Sequence, residues 1–221
     1  MAGRKAGPPM SPRTAIKKAI KLVFLVLALP LFGLLLLIRA FTGSDNSFAS
    51  FSQLLSLIPG KIGVYFRAAF YSLACPATSD EIFIGFLTIL SHRDASIARG
   101  VYIGPQCNIG MCSIGENTLI GSGVHILSGA NQHSFNDPTL PIQEQGGTYR
   151  KTRIGRDCWL GNASVILSDI DDHSIVAAGS IVTRPVGEAL IVAGNPGKTV
   201  RPRFSEPPSE RTVPQGTEND Q

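Results

Sequence analysis

The sequence predicts an all-β solenoid of stacked hexapeptide coils, preceded by a hydrophobic, membrane-associating helical segment. Three observations predict it: large aliphatics return every sixth residue, a second position agrees with them in phase, and a long apolar run precedes both.

The period is clearest in Ile97-Ala98, Ile103-Gly104, Ile109-Gly110, Ile114-Gly115 and Ile120-Gly121. It continues through Ile126, Ile154-Gly155, Leu160-Gly161, Ile166, Val176-Ala177 and Val182. A period of six suits neither an α-helix nor a two-residue strand alternation. It suits coils of short straight segments, each sending one aliphatic inward and turning at a corner lined by small residues. The fifth position of each unit is small or β-branched as well: Val101, Cys107, Thr118, Val124, Cys158, Ser164 and Ser180. The spacing slips to five residues from Ile109 to Ile114. It is ten from Ile166 to Val176, where twelve would be regular, as expected of bulges or trimmed corners. Between Ile126 and Ile154 the repeat stops and the chain turns polar, which predicts a loop extruded from one corner.

The apolar run Leu22 to Ile38 holds 17 residues, with Pro30 near its centre. As a straight helix it reaches about 25 Å, short for a hydrocarbon core of about 30 Å. It lacks a small-x-small cleavage pattern and is read as an anchor. The basic residues Arg4, Lys5, Arg13, Lys17, Lys18 and Lys21 ahead of it place the N-terminus in the cytosol. Arg39, Lys61 and Arg67 form a sparser set beyond it. A bend at Pro30 that returns the segment to the same leaflet would keep the solenoid on the cytoplasmic face of the plasma membrane; the alternative is a single-pass anchor.

The expected organisation is therefore a basic tail (1–21), a hydrophobic membrane segment (22–38) and an amphipathic helical cap (39–80). The β-helix (81–203) follows with its extruded loop (128–153), and then a disordered tail (204–221). At 221 residues and 43% hydrophobic content the chain holds one folded domain with appendages. Its net charge is only +4, with the cations gathered beside the apolar run, so a membrane surface is the expected partner and nucleic acid is not. Cys75, Cys107, Cys112 and Cys158 show no zinc or disulfide spacing and read as small packed residues.

Among His92, His125, His133 and His173, only His133 lies in the extruded loop, within Gly129-Ala130-Asn131-Gln132-His133-Ser134-Phe135-Asn136-Asp137-Pro138. Imidazole is the side chain best suited to take a hydroxyl proton at neutral pH. Asp137 or Glu144 is the candidate to hold its second ring nitrogen, and the sequence leaves the choice open.

The hexapeptides, Cys158-Trp159-Leu160-Gly161, Ala177-Ala178-Gly179-Ser180-Ile181-Val182-Thr183-Arg184 and Ala193-Gly194-Asn195-Pro196-Gly197-Lys198 resemble one family across roughly Ile84 to Arg203. This is the left-handed parallel β-helix, hexapeptide-repeat acyltransferases, CoA-dependent O-acetyltransferases of sugars and antibiotics. The resemblance implies a left-handed coil, acetyl-CoA as co-substrate, no metal and a homotrimer with sites between subunits. It implies His133 as general base for a sugar or glycan hydroxyl, with a lipid-linked acceptor suggested by the membrane segment. It also implies that Trp159, Gly161 and Asn162 border the pantetheine and acetyl end. Ala178 would offer backbone contacts, while Thr183, Arg184, Lys198 and Arg201 reach the nucleotide. Two other readings stand beside this one: a silent β-helix scaffold, and a γ-type carbonic anhydrase. The second would need three zinc histidines, whereas the gaps here are 33 residues from His92 to His125 and 8 to His133.

Overall fold

Each hexapeptide folds into a strand of two or three residues and a corner, and three of them close one triangular coil. The computed structural model describes residues 12–204; Arg4, Lys5 and the tail beyond Phe204, expected to be disordered, lie outside the described residues. The first coil is β1 (Phe83–Ile84), β2 (Ile89–Leu90) and β3 (Ser96–Ile97). The second is β4 (Tyr102–Ile103), β5 (Asn108–Ile109) and β6 (Cys112–Ile114). The third is β7 (Leu119–Ile120), β8 (His125–Ile126) and β9 (Thr152–Ile154). Then come β10 (Trp159–Leu160), β11 (Val165–Ile166), β12 (Ile175–Val176) and β13 (Ile181–Val182), and a closing hairpin of β14 (Leu190–Ala193) and β15 (Lys198–Pro202).

The strands stack into three faces. The first runs β1-β4-β7-β10-β12-β14-β15, the second β2-β5-β8-β11-β13 and the third β3-β6-β9. All pairings are parallel except that of β15 on β14. The core is three columns of aliphatics, one per face, for example Ile84, Ile103, Ile120, Leu160 and Val176 on the first, all fully buried. The third column continues through Ile170 and Val186, which join Ile154 by isolated bridges. Both fall four residues after the preceding aliphatic, so the missing residues before Val176 are a trimmed corner.

The fifth-position residues are all buried. The residue ahead of each has positive φ: Gly100, Gln106, Asn117, Gly123, Asp157, Ala163 and Gly179. The corner needs a left-handed residue, and the side chain after it must fit inside the turn. Thr118 also serves as a corner clasp: its hydroxyl donates to the Gly155 carbonyl at 2.7 Å and accepts the Cys158 N–H at 3.1 Å.

Helices α1 (Pro12–Thr42), α2 (Ser47–Ser56) and α3 (Gly60–Ala74) cover the N-terminal end of the solenoid. Phe48, Phe51, Leu55, Phe70 and Tyr71 bury the first coil, as an open solenoid end requires. The Leu90 N–H reaches across to the Ser52 hydroxyl at 2.8 Å. Two expectations are corrected here. The apolar segment does not turn back at Pro30: α1 is continuous through it for 31 residues, about 46 Å, since a proline removes one intrahelical bond without ending a helix that is packed along its length. Arg67 is not a surface charge beside a membrane but fully buried. Its Nε donates to the Ile84 carbonyl at 3.0 Å, and its Nη1 donates to those of Leu55 at 2.9 Å and Ile58 at 2.8 Å. Burial pushes its pKa down from the ordinary guanidinium value. By length and composition α1 is apolar enough to cross a membrane.

Candidate active site

The loop leaves the solenoid after β8, at the edge between the second and third faces, and returns into β9. Its root is fastened by polar contacts. The Met111 N–H donates to the Ser128 hydroxyl at 2.9 Å, the Thr152 hydroxyl to the Leu127 carbonyl at 2.7 Å, and Lys151 pairs with Asp94 at 2.9 Å. Three backbone bonds then zip its two limbs: Arg150 N–H to Ser128 O at 2.9 Å, Thr148 N–H to Asn131 O at 2.7 Å and Ser134 N–H to Gly146 O at 2.9 Å. His133 sits between the last two, so its backbone is held on both sides while its ring projects into solvent.

At the tip, Gln145 ties the turn together. Its Oε1 accepts the Asp137 N–H at 3.0 Å, and its Nε2 donates to the carbonyls of Asp137 and Leu140, each at 2.8 Å. The Asp137 carboxylate accepts the Thr139 hydroxyl at 2.6 Å and its N–H at 2.8 Å, which hold its pKa below the ordinary carboxylate value. Asp137 thus braces the tip of the loop through the two bonds its Oδ1 accepts from Thr139. Glu144 lies in a single 3-10 turn, Ile142–Glu144, and is exposed. Among the described residues neither carboxylate hydrogen-bonds His133 within the protomer.

The expected cofactor residues fall on two edges. Trp159 stands on the outer side of β10, 52% exposed and in register between Leu119 and Ile175. The adjoining corner stacks Gly161, Asn162 and Ala178. A Cβ on Gly161 would overlap the Ala178 amide, the Asn162 side-chain oxygen accepts the Ser122 N–H at 3.0 Å, and the Asn162 carbonyl accepts the Gly179 N–H at 2.8 Å. Arg201 and Lys198 lie on β15 at the end of the same face, with Arg201 opposite Ile191. Arg201 is three strands from Trp159, about 14 Å. Thr183 and Arg184 follow β13 on the other edge, the one from which the loop emerges two coils earlier. One protomer thus presents the imidazole with Arg184 on one edge, and Trp159, Asn162 and Ala178 on another.

A cleft of about 470 Å³ lies at the foot of the loop, on the outer side of the second face. Ser91, His92, Asn108, His125 and Gln132 line it, with Asn108 and His125 in register on β5 and β8. The convergence of these side chains needs the strand register, which brings Asn108 and His125, 17 residues apart, side by side.

Sequence reasoning also missed a third histidine arrangement. His173 Nδ1 lies 2.9 Å from Asp157 Oδ2, and Arg203 Nη1 donates to that same oxygen at 2.9 Å and to the His173 carbonyl at 3.0 Å. His173 and Asp157 both occupy left-handed corner positions in adjacent coils, so the carboxylate clasps the edge and the C-terminal strand rather than facing a cleft. The cysteines are all buried, and burial pushes the Cys75 and Cys112 thiols up to about 12, which keeps them protonated and poorly nucleophilic. Among the described residues no three His, Cys, Asp or Glu side chains gather into a metal-binding group.

No protein-family model matches the chain. It is similar to a chloramphenicol acetyltransferase of Agrobacterium fabrum, 30% identical over 131 residues, covering 52% of this chain and 62% of that protein. The chain spans less than two thirds of the length of this and the next curated relatives. Its fold is shared with a maltose O-acetyltransferase from Clostridium difficile 630, with a TM-score of 0.64 at 16% identity over 72% of this chain and 87% of that one. It is shared also with a galactoside acetyltransferase in complex with coenzyme A, with a TM-score of 0.54 at 18% identity over 72% and 80%. These neighbours are left-handed β-helices.

Proposed function

Because the chain belongs to the hexapeptide-repeat acyltransferase family, we propose that it transfers an acetyl group from acetyl-CoA to a hydroxyl of a sugar or polysaccharide precursor, with His133 as general base. The single observation that carries this reading is the loop. Its hydrogen bonds hold the backbone of His133 on both sides, and the adjacent Gln132 lines a cleft of about 470 Å³ together with Asn108, His92, His125 and Ser91. Polar side chains of this kind match the alternating donors and acceptors of a carbohydrate.

His133 takes the hydroxyl proton as the oxygen attacks the thioester carbonyl. The tetrahedral oxyanion is held by a backbone N–H or polar side chain of the groove, the thiolate leaves, and the imidazolium returns the proton to it. No covalent enzyme intermediate is required, since the acceptor hydroxyl attacks the thioester directly. Trp159 and the Gly161-Asn162 and Ala178 corners fit the acetyl and pantetheine end, and Thr183, Arg184, Lys198 and Arg201 supply exposed hydroxyl and cationic groups for phosphates. These groups lie on different edges of a protomer, which supports a homotrimer whose sites pair the loop edge of one copy with the Trp159 edge of the next. Asp137, Glu144 or a carboxylate of the neighbouring copy would orient the His133 ring.

The apolar surface of α1 supports attachment to the cytoplasmic face of a membrane, where acetyl-CoA is available and a lipid-linked acceptor is held at high local concentration. The test is release of free thiol from acetyl-CoA over a panel of nucleotide sugars, oligosaccharides and lipid-linked glycans. Acceptor-dependent release that His133→Ala abolishes is expected. No release with any acceptor would favour the silent scaffold, and full release by His133→Ala would move the base elsewhere.

A further inference from the structure

Helix α1 is apolar on every side between Leu22 and Ile38, yet only one stripe of it meets protein. Phe24, Ala28, Leu31, Leu35 and Ile38 recur at three- and four-residue spacing and pack against the rest of the fold, with Phe24 between the rings of Tyr65 at 5.4 Å and Phe66 at 6.1 Å. The remaining circumference carries Leu22, Val26, Leu29, Leu36, Leu37 and Phe41, 39% to 82% exposed. A helix apolar all round needs an apolar surrounding, and here protein supplies one side only.

Both ends of this run are fastened to the same body. Lys21 pairs with Asp80 at 3.1 Å and Glu81 at 3.2 Å, immediately ahead of β1. Arg39 pairs with Asp45 at 2.9 Å, and Asp45 lies 3.8 Å from Arg93, whose Nε donates to the Ala74 carbonyl at 2.6 Å. Lys21 and Arg39 are about 27 Å apart along the helix, close to the thickness of a hydrocarbon core of about 30 Å. If α1 crossed the bilayer, the first coil would have to extend through it beside the helix, carrying Asp80, Glu81, Asp45 and Arg93 to opposite surfaces and setting hydrated strand edges in hydrocarbon.

We propose that α1 lies in the plane of the membrane as a monotopic anchor, its exposed apolar side sunk into the cytosolic leaflet and the first coil resting above it. The occupant of the apolar face is the acyl region of the bilayer, and the cations at its ends lie at the level of the headgroups. Lys17, Lys21 and Lys61 surround a groove of about 440 Å³ at the N-terminal end, and Arg39 marks the other. Long basic side chains reach such a level from a submerged helix. The solenoid then stands with its first coil nearest the lipid. This deepens the membrane reading above and rests on it.

The test uses the full chain, whose four native thiols are buried. Arg13→Cys and Asn46→Cys, one beyond each end of the apolar run, are labelled with a membrane-impermeant maleimide in intact cells and after permeabilisation. Both are expected to stay unlabelled in intact cells and to label together once the cells are opened. Labelling of Asn46→Cys in intact cells would show a crossing helix, and labelling of both would place the protein on the outer leaflet; either overturns the proposal. Release of the unmodified chain by a neutral salt wash would instead remove the membrane reading itself, and the proposal with it. A second variant, Val26→Glu with Leu37→Glu, is expected to lower the membrane-bound fraction on the order of tenfold while thiol release by the freed protein persists; an unchanged membrane fraction overturns the in-plane assignment.

Discussion

Gly147 packs against the carbonyl of Gln132: a Cβ at Gly147 would overlap that oxygen and stand 2.8 Å from the His133 amide nitrogen. Both obstacles are backbone, so neither can swing aside, and the limb carrying His133 must move if residue 147 gains a side chain. Gly147→Ala is therefore expected to cut turnover on the order of a hundredfold through a displaced base. The melting temperature should shift little, because the loop is outside the core columns. Turnover within a factor of about two of wild type would show that the limb spacing does not set the position of the base.

The coils were legible because two positions of the hexapeptide obey different steric rules, one filling a column and the other filling a corner, and both rules act over six residues. Ile170 and Val186 escaped because the corners ahead of them are trimmed, which breaks the count while leaving the column intact. The loop was legible as an interruption. What Asp137 does there was not, because its partner Thr139 and the brace from Gln145 are properties of a folded turn. Nor does any local pattern report that Arg67 faces inward or that Arg203 returns 46 residues later to Asp157. The division of the cofactor residues between two edges also needed the strand register.

Arg67 is the joint between the cap and the first coil. Its removal takes a donor from the carbonyls of Ile84, Leu55 and Ile58; Leu55 still accepts the Ile58 N–H at 3.3 Å, while the buried Ile84 carbonyl loses its side-chain partner. At about 1 to 3 kcal/mol for an unsatisfied buried group, with the cavity left by the buried side chain added, Arg67→Ala is expected to destabilise the protein by about 3 kcal/mol. Arg67→Lys should recover only part of this, since one ammonium cannot reproduce the fork. Chemical denaturation read by circular dichroism measures both, and an Arg67→Ala loss under about 1 kcal/mol would remove the joint from the fold's support.

The Asp157 carboxylate, bonded by His173 and then Arg203, is held below the ordinary 3.8. A depressed carboxylate stabilises the fold fully above its unfolded value and ceases to do so as the pH falls through the folded value. The clasp should therefore act at pH 5 and above, on the order of one pH unit clear of the unfolded carboxylate, and weaken on acidification toward the folded value below 3.8. Asp157→Asn is expected to lower the melting temperature modestly at neutral pH, because the carboxylate is half exposed and screened. Its melting temperature should also fall less than that of wild type on acidification. Parallel pH-melting curves for the two proteins would contradict the clasp.

The placement of His133 and Trp159 on different edges of one protomer gives the proposed trimer a sharp test. If each site takes its imidazole from one copy and its tryptophan edge from the next, His133→Ala and Trp159→Ala chains should each be impaired alone yet complement when co-assembled. With random mixing of equal amounts, a site receives an intact loop half the time and an intact Trp159 edge half the time, so about one quarter of wild-type activity is expected. Mixing the two proteins after separate assembly should restore nothing until subunits exchange, which separates sharing of a site from simple addition of residual rates. Co-purification of differently tagged chains establishes that the mixed assemblies form. If they form and activity stays at the level of the two variants summed, imidazole and tryptophan serve the same protomer's site, and the loop would have to fold back across the second face to bring them together.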